Sequence, residues 1–308
     1  MSRSEGLLPV AEVPGGPRTS VAANTSHRSQ KSHGTARTLR LAAFYLLLGI
    51  IAAVFIAPYV LSAFAALKPL NEIFSEPAWI PPSSFNLHAF AEDFTKYHFL
   101  RYLGNTALVT VVLTVGQVLF SIFGAWAFAR LRFPGRETLF WIYLLTLMVP
   151  NVVTLIPLYT LFRYAHMLNT YWAIFLPYSL GTPYTIFLMR QFFLGIPSEV
   201  IEAARIDGCS ELRVLWQVGV PLARPIIVTA VFIAFVFGWN NFLWPLIVTN
   251  SPSLKVLTVG IASFQSNLGT QWNLVLAGSL IALIPLLIIF AVFQKQIVRS
   301  IQLTSGIK

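Results

Sequence analysis

The chain has 308 residues, 56% hydrophobic and only 10% charged, with a mean hydropathy of +0.71. A soluble domain carries roughly 25% charged residues to keep its surface wetted, so a soluble enzyme, a disordered chain and a collagen-like fibre are excluded and a polytopic membrane protein remains. The single cysteine, Cys209, excludes an intrachain disulfide and a cysteine-rich metal site, and the formal charge of +10 must be judged by where it falls.

Residues 1–40 are rich in Ser, Gly, Pro and Arg without apolar periodicity, and read as a disordered cytoplasmic tail. Uncharged runs follow: Leu41 to Leu67, Tyr102 to Ala129, Thr138 to Phe162, Ile226 to Leu254 and Val256 to Gln294, while Tyr164 to Met189 holds only His166. A helix needs roughly 20 apolar residues to cross the hydrocarbon core. Six transmembrane helices are therefore expected at 41–67, 102–129, 138–162, 170–192, 226–248 and 272–293, with the polar stretch Ser266 to Gln271 as the last loop. The first run is too long for the apolar core of a secretory signal, so cleavage near Ala63-Phe64-Ala65 is not expected. The chain is read as an all-α protein, 41–308 forming one six-helix membrane domain.

With both termini inside, 16 of the 21 Lys and Arg residues lie on the cytoplasmic face and 5 (Lys68, Lys96, Arg101, Arg163 and Lys255) lie outside. That asymmetry favours an N-in, C-in topology. It also accounts for the basic charge without nucleic acid.

The sizeable cytoplasmic loop, at about 195–225, opens with Pro197-Ser198-Glu199, a helix start with acid in the first turn. Glu202, Ala203 and Ala204 favour helix, Gly208 breaks or bends it, and a second short helix runs through Leu212, Leu215 and Trp216 to Pro221. Two short helices lying at the inner membrane face are expected. On these residues alone, an interfacial amphipathic helix with Arg205 and Arg213 beside anionic lipid is the alternative to a docking element.

Glu202-Ala203-Ala204, Gly208 and Val218-Gly219-Val220-Pro221 resemble the EAA motif of the membrane subunits of ABC importers, with Val218 and Val220 replacing the usual Ile and Leu. Ala129 to Arg136, Met148-Val149-Pro150, Ile156 to Tyr159, Leu168 to Tyr171 and Trp239 to Trp244 are similar to the carbohydrate-type branch, in particular the smaller membrane subunit of maltose-type systems. The resemblance covers roughly residues 40–308. It implies a type I ABC importer permease fold in a prokaryotic cell membrane. It further implies a coupling helix docked on a cytoplasmic ATPase, with Glu202 as polar contact, Ala203 and Ala204 allowing close approach, Gly208 setting the turn, and Asp207 and Pro221 completing the loop. The implied partners are a second permease subunit, two ATPase subunits carrying ATP and Mg, and an extracytoplasmic solute-binding protein toward which residues 249–271 reach.

The sequence contains no Gly-x-x-x-x-Gly-Lys-Ser/Thr loop to cradle a triphosphate, so no cofactor is expected on this chain. Its five histidines lack ligand spacing, so no metal is expected either. The uncharged runs lack the acids and bases that carry proton or sodium coupling. Polar exceptions are Trp239, Asn240, Asn241 and Trp244, with Gln117 and Asn151 as weaker candidates to line a solute path. Amides beside aromatic faces suit a sugar ring, and helix-to-helix contacts are an equal use for them. Pro150, Pro157, Pro177 and Pro183 are expected to bend their helices. A stand-alone carrier or channel for a small neutral solute is the competing function.

Overall fold

The computed structural model describes residues 30–266 and 269–305, with side chains described from 37 to 265 and from 270 to 296. The expected tail therefore lies outside the described residues as far as position 29, and Asn267 and Leu268 of the last loop lie outside them too. The chain divides between Pro58 and Tyr59 into two compact units. The first contains most of α1 (Gln30–Leu67), which starts inside the segment read as tail and exposes every side chain from Arg37 to Pro58.

The second unit is helical apart from one small ribbon. After α1 come α2 (Leu70–Ser75), α3 (His88–Thr95) and α4 (Phe99–Arg130). Next are α5 (Arg136–Leu145), α6 (Asn151–Tyr164), α7 (Tyr171–Ser179) and α8 (Pro183–Leu194). The polar segment forms α9 (Ser198–Ile206), α10 (Glu211–Val214), a π turn at Leu215–Gly219 and α11 (Val220–Leu222). Then follow α12 (Arg224–Asn240), α13 (Leu243–Val248), α14 (Leu257–Ala262) and α15 (Trp272–Ser305). Strands β1 (Gln265–Ser266) and β2 (Gly269–Thr270) pair antiparallel where only a loop was expected.

Three helices among the described residues are long and apolar enough to cross a membrane: Arg37–Leu67, Phe99–Arg130 and Trp272–Gln296. Counting each of two bent pairs, Arg136–Met148 with Asn151–Tyr164 at 102° and Glu211–Leu222 with Arg224–Asn240 at 82°, as one span brings the number to five. The expected third span is thus not one straight helix. Pro150 has no N–H to continue the ladder and holds Val149 extended, so the chain turns there. The expected fourth span is divided at Leu180-Gly181-Thr182. Gly181 sits at φ +88°, a left-handed stop, and the Thr182 side chain caps the next helix, which opens on Pro183. The expected fifth is interrupted after Asn240 and resumes as α13. Of the four prolines read as bends, Pro157 and Pro177 lie inside uninterrupted helices.

Helix α4 is the hub, packing on α7, α8, α12 and α14, while α15 packs on α12. Close approach is achieved with glycine: a Cβ on Gly116 would lie 2.9 Å from the Ser179 carbonyl oxygen, and one on Gly124 2.9 Å from the Ile186 Cδ1. In lipid, where apolar burial between helices gains little, such close packing carries much of the association. One apolar cluster joins Val118, Ile122 and Trp126 of α4 to Met189, Phe193, Ile201, Leu215 and Ile226. A second joins Val109 and Leu113 to Phe162, Ile174, Trp244 and Val248, and a third surrounds Phe99 and Tyr102 at the helix start.

The start of α4 is covered by α3, which also packs on α15. Asp93 of α3 is fully buried, and neither carboxylate oxygen has a hydrogen-bond partner. Burial, reinforced by the neighbouring Glu92 charge, pushes its pKa up to about 7. Below about pH 4 the carboxyl is protonated in both folded and unfolded chains. As pH rises from there to about 7, the unfolded chain ionises while the folded one keeps its proton, so stability falls and then levels off. Asp93→Asn is expected to flatten that fall and to raise the thermal midpoint at pH 7.5 above wild type. Thermal unfolding of detergent-solubilised protein at pH 5 and 7.5 checks this.

Candidate functional site

Two regions gather the residues singled out in the sequence. The first is the polar segment after α8. Pro197 precedes α9, and Glu199 lies in its first turn, favourable to the helix dipole. Ile201 is buried against the apolar cluster, whereas Glu202 and Ala203 face out and Ala204 is half-buried. Ile206, at 86% exposure, leaves an apolar patch next to exposed Asp207. Gly208 turns the corner at φ +80°, with no atom near enough to limit a side chain. The need for glycine there is conformational, not spatial. Across that corner Arg205 Nη2 lies 2.8 Å from Glu211 Oε1, bracing α9 to α10. Pro221 is exposed in α11, and Gly219 lets the π turn lie against Trp126, whose ring carbon would be 2.7 Å from a Cβ. The corner places Glu202, Ala203, Ile206 and Asp207 on one short exposed segment.

The second region lies where helices are interrupted. A cavity of about 490 Å³ is lined by Gln117 of α4, Thr146, Pro150 and Asn151 at the 102° bend, Tyr178 and Phe237, and Thr182, Tyr184 and Thr185 at the α7–α8 break. Gln117 Nε2 donates to Thr182 Oγ1 at 3.2 Å and to Thr185 Oγ1 at 3.1 Å, leaving its buried Oε1 without a partner. Gln117 and Asn151, from separate helices, thus meet at one cavity. Thr110, Thr114 and Ser121 continue the Gln117 face of α4, and each also has a buried unpaired hydroxyl oxygen. Their spacing of four, three and four is the period of one helix face, a pattern that was present in the sequence but hidden among threonines and serines.

The segment Trp239 to Trp244 is placed differently. Trp239 Nε1 donates to the Ala282 carbonyl at 3.0 Å and Trp244 Nε1 to the Ala173 carbonyl at 2.8 Å. Both indoles are buried and pack helices together. Asn240 Nδ2 donates to the Val236 carbonyl at 2.8 Å and borders a separate cavity of about 510 Å³ with Thr258, Gln265 and Ser279. The half-buried Asn241 lies at the α12–α13 break, where its carbonyl accepts from Thr258 Oγ1 at 2.8 Å. None of these four residues lines the Gln117 cavity.

The segment from 249 onward is held to the helix ends by side-chain amides. Asn105 Nδ2 donates to the carbonyls of Ser253 at 2.8 Å and Lys255 at 2.9 Å, and Asn169 Oδ1 accepts from the N–H groups of Asn250 and Ser251. Among the described residues no three His, Cys, Asp or Glu side chains gather as metal ligands.

Residues 117–303 match the family described as the binding-protein-dependent transport system inner membrane component. The chain belongs to that family. It is 32% identical over 247 residues to the arabinooligosaccharides transport system permease protein AraQ of Halalkalibacterium halodurans, covering 79% of this chain and 88% of that protein. It is 33% identical over 266 residues to the sn-glycerol-3-phosphate transport system permease protein UgpE of Pectobacterium atrosepticum, covering 83% and 93%. The probable ABC transporter permease protein YurM of Bacillus subtilis is 33% identical over 245 residues, covering 79% and 81%. In fold the chain is similar to one from the crystal structure of a bacterial ABC transporter involved in the import of the acidic polysaccharide alginate. The TM-score is 0.73 and the identity 23%, over 89% of this chain and 99% of that one. As a member of this inner membrane family, the chain is an ABC transporter permease with membrane-spanning helices.

Trp239→Phe and Trp244→Phe each remove one indole-to-carbonyl bond and should lower stability by about 1 kcal/mol. The check is a reduced thermal midpoint in detergent, with uptake per folded molecule unchanged.

Proposed function

We propose that the chain is a membrane subunit of an ATP-driven importer for a carbohydrate or related polyol, with α9 to α11 as the element that docks on a cytoplasmic ATPase. The observation that carries this reading is the α9 corner. Ile201 anchors the helix inward while Glu202, Ala203, Ile206 and Asp207 remain exposed beyond it. A free lipid-surface helix would instead bury its apolar residues in the bilayer and keep charge outward. Here Ile206 and Asp207 sit side by side on the exposed turn, which suits a protein groove.

In this reading six spans cross a prokaryotic cell membrane with both termini inside, α7 and α8 together forming the fourth. A second permease subunit completes the pathway, and two ATPase subunits supply ATP and Mg. An extracytoplasmic binding protein delivers solute near the segment held by Asn105 and Asn169. The Gln117 cavity is the solute contact on this chain. Its lining is neutral, with amide, hydroxyl and aromatic groups, which match the hydroxyl edges and C–H faces of a sugar. That lining holds no cation to pair with a phosphate or carboxylate. An uncharged solute is therefore favoured over the acidic or phosphorylated ones named for some relatives.

Proteoliposomes with the full set of subunits should take up solute only with ATP, and Glu202→Lys should reduce co-purification of the ATPase. Gln117→Leu should lower uptake with assembly intact. Gradient-driven uptake by the purified chain alone would establish the carrier reading instead.

A further inference from the structure

Arg130 and Arg190 tie the ends of α4 and α8 to each other. Arg130 ends α4, and its guanidinium reaches the far end of α8. Nε donates to the Phe193 carbonyl at 3.0 Å, and Nη2 bonds the Phe193 and Ile196 carbonyls. Phe193 lies in the last turn of α8, and Ile196 immediately precedes Pro197 and the start of α9. Arg190, of α8, returns the contact. Its Nε donates to the Phe128 carbonyl in the last turn of α4 at 3.2 Å. Its Nη2 spans both oxygens of Glu137 in α5 at 2.8 and 2.9 Å, and the guanidinium lies 4.0 Å from the centre of the Phe140 ring. Arg190 is only 8% exposed.

Each helix therefore lends an arginine to the other's terminal carbonyls. A helix end leaves its last carbonyls unpaired and carries partial negative charge, so a cation there gains both hydrogen bonds and dipole energy. The planar fork of arginine holds its acceptors in a fixed geometry, two carbonyls for Arg130 and a carbonyl with a carboxylate for Arg190. This crossed pair fastens α4, α5 and α8 together at the point from which α9 departs.

We propose that Arg130 and Arg190 are positioning residues of transport: the crossed arginine latch makes the α9 segment and helix α4 move as one body, so that displacement of α9 is delivered to the Gln117 cavity. The inference rests on the importer reading above. Without the latch, the join between α8 and α9 loses its polar tie to α4, and the apolar contacts around Ile201 and Trp126 alone would have to carry the displacement.

The test uses the complete importer in proteoliposomes, with maltotriose and L-arabinotriose as transported probes alongside whatever sugar its binding protein retains. Arg130→Lys and Arg190→Lys keep charge and most of the bulk but lose the fork; Arg130→Ala and Arg190→Ala remove the group. The lysine variants are expected to assemble with wild-type subunit ratios and to raise the ATP hydrolysed per sugar imported by roughly 10-fold, within the ordinary range of coupling between sites. The alanine variants should raise it at least as far. A purely structural role would lower the amount of complex and leave that ratio alone. A wild-type ratio in both lysine variants overturns the latch. Absence of ATP-driven uptake in the wild type would overturn the importer reading itself, which separates the two failures.

Discussion

The bilayer interior offers no water to a free peptide group, so every interruption of a helix there must be satisfied by the chain itself. Three interruptions fall within the expected spans: at Val149-Pro150, at Leu180 to Thr182, and at Asn241-Phe242. Each is served locally. Proline removes a donor at the first, the Thr182 hydroxyl caps the second, and the Thr258 hydroxyl answers the freed Asn241 carbonyl at the third. The first two meet at the same cavity, whose polar groups are those used to manage the breaks. A hole with a polar lining in an apolar bundle thus follows from interrupting two neighbouring helices at the same level.

The same constraint explains why α4 is unbroken. A helix with every internal hydrogen bond made can serve as the surface on which broken ones are assembled, and glycines at 116 and 124 bring α7 and α8 against its backbone. The polar face through Thr110, Thr114, Gln117 and Ser121 then runs along the seam where those breaks are covered. Such groups are costly in an apolar interior unless they find partners. Gln117 spends both of its amide protons on the threonines of the α8 start and still has an acceptor free.

The long uncharged runs made the membrane class legible, because length and apolarity are summed over many residues. The polar segment with Glu202 and Gly208 was also legible, since capping and left-handed backbone depend on a few local residue types. Single straight spans were not correctly legible from hydropathy, which cannot distinguish a continuous helix from two joined at an angle. The signals for those breaks were local: Val-Pro at 149–150 and Gly-Thr-Pro at 181–183. Their weight is lost in an average over twenty residues. Trp239 and Trp244 drew attention as amphipathic aromatics, but the indole N–H can be satisfied by any carbonyl within reach, and tertiary packing supplied one to each. Arg130 and Arg190 escaped because a count of charges per side does not say which charge caps a helix.

Gln117 and Arg130 stand on the same unbroken helix, thirteen residues apart, a span of roughly 20 Å at 1.5 Å per residue. The cavity and the departure point of α9 are therefore two ends of one rigid stretch. A packed helix has discrete arrangements and resists continuous bending. A displacement imposed at its latched end reaches the other end as a shift of the whole stretch, and it changes what Gln117 can touch. The neighbours across the cavity sit at breaks in α7–α8 and α5–α6, where hinge motion costs least. An unbroken α4 against interrupted partners divides the labour physically: one element carries displacement and the others accommodate it.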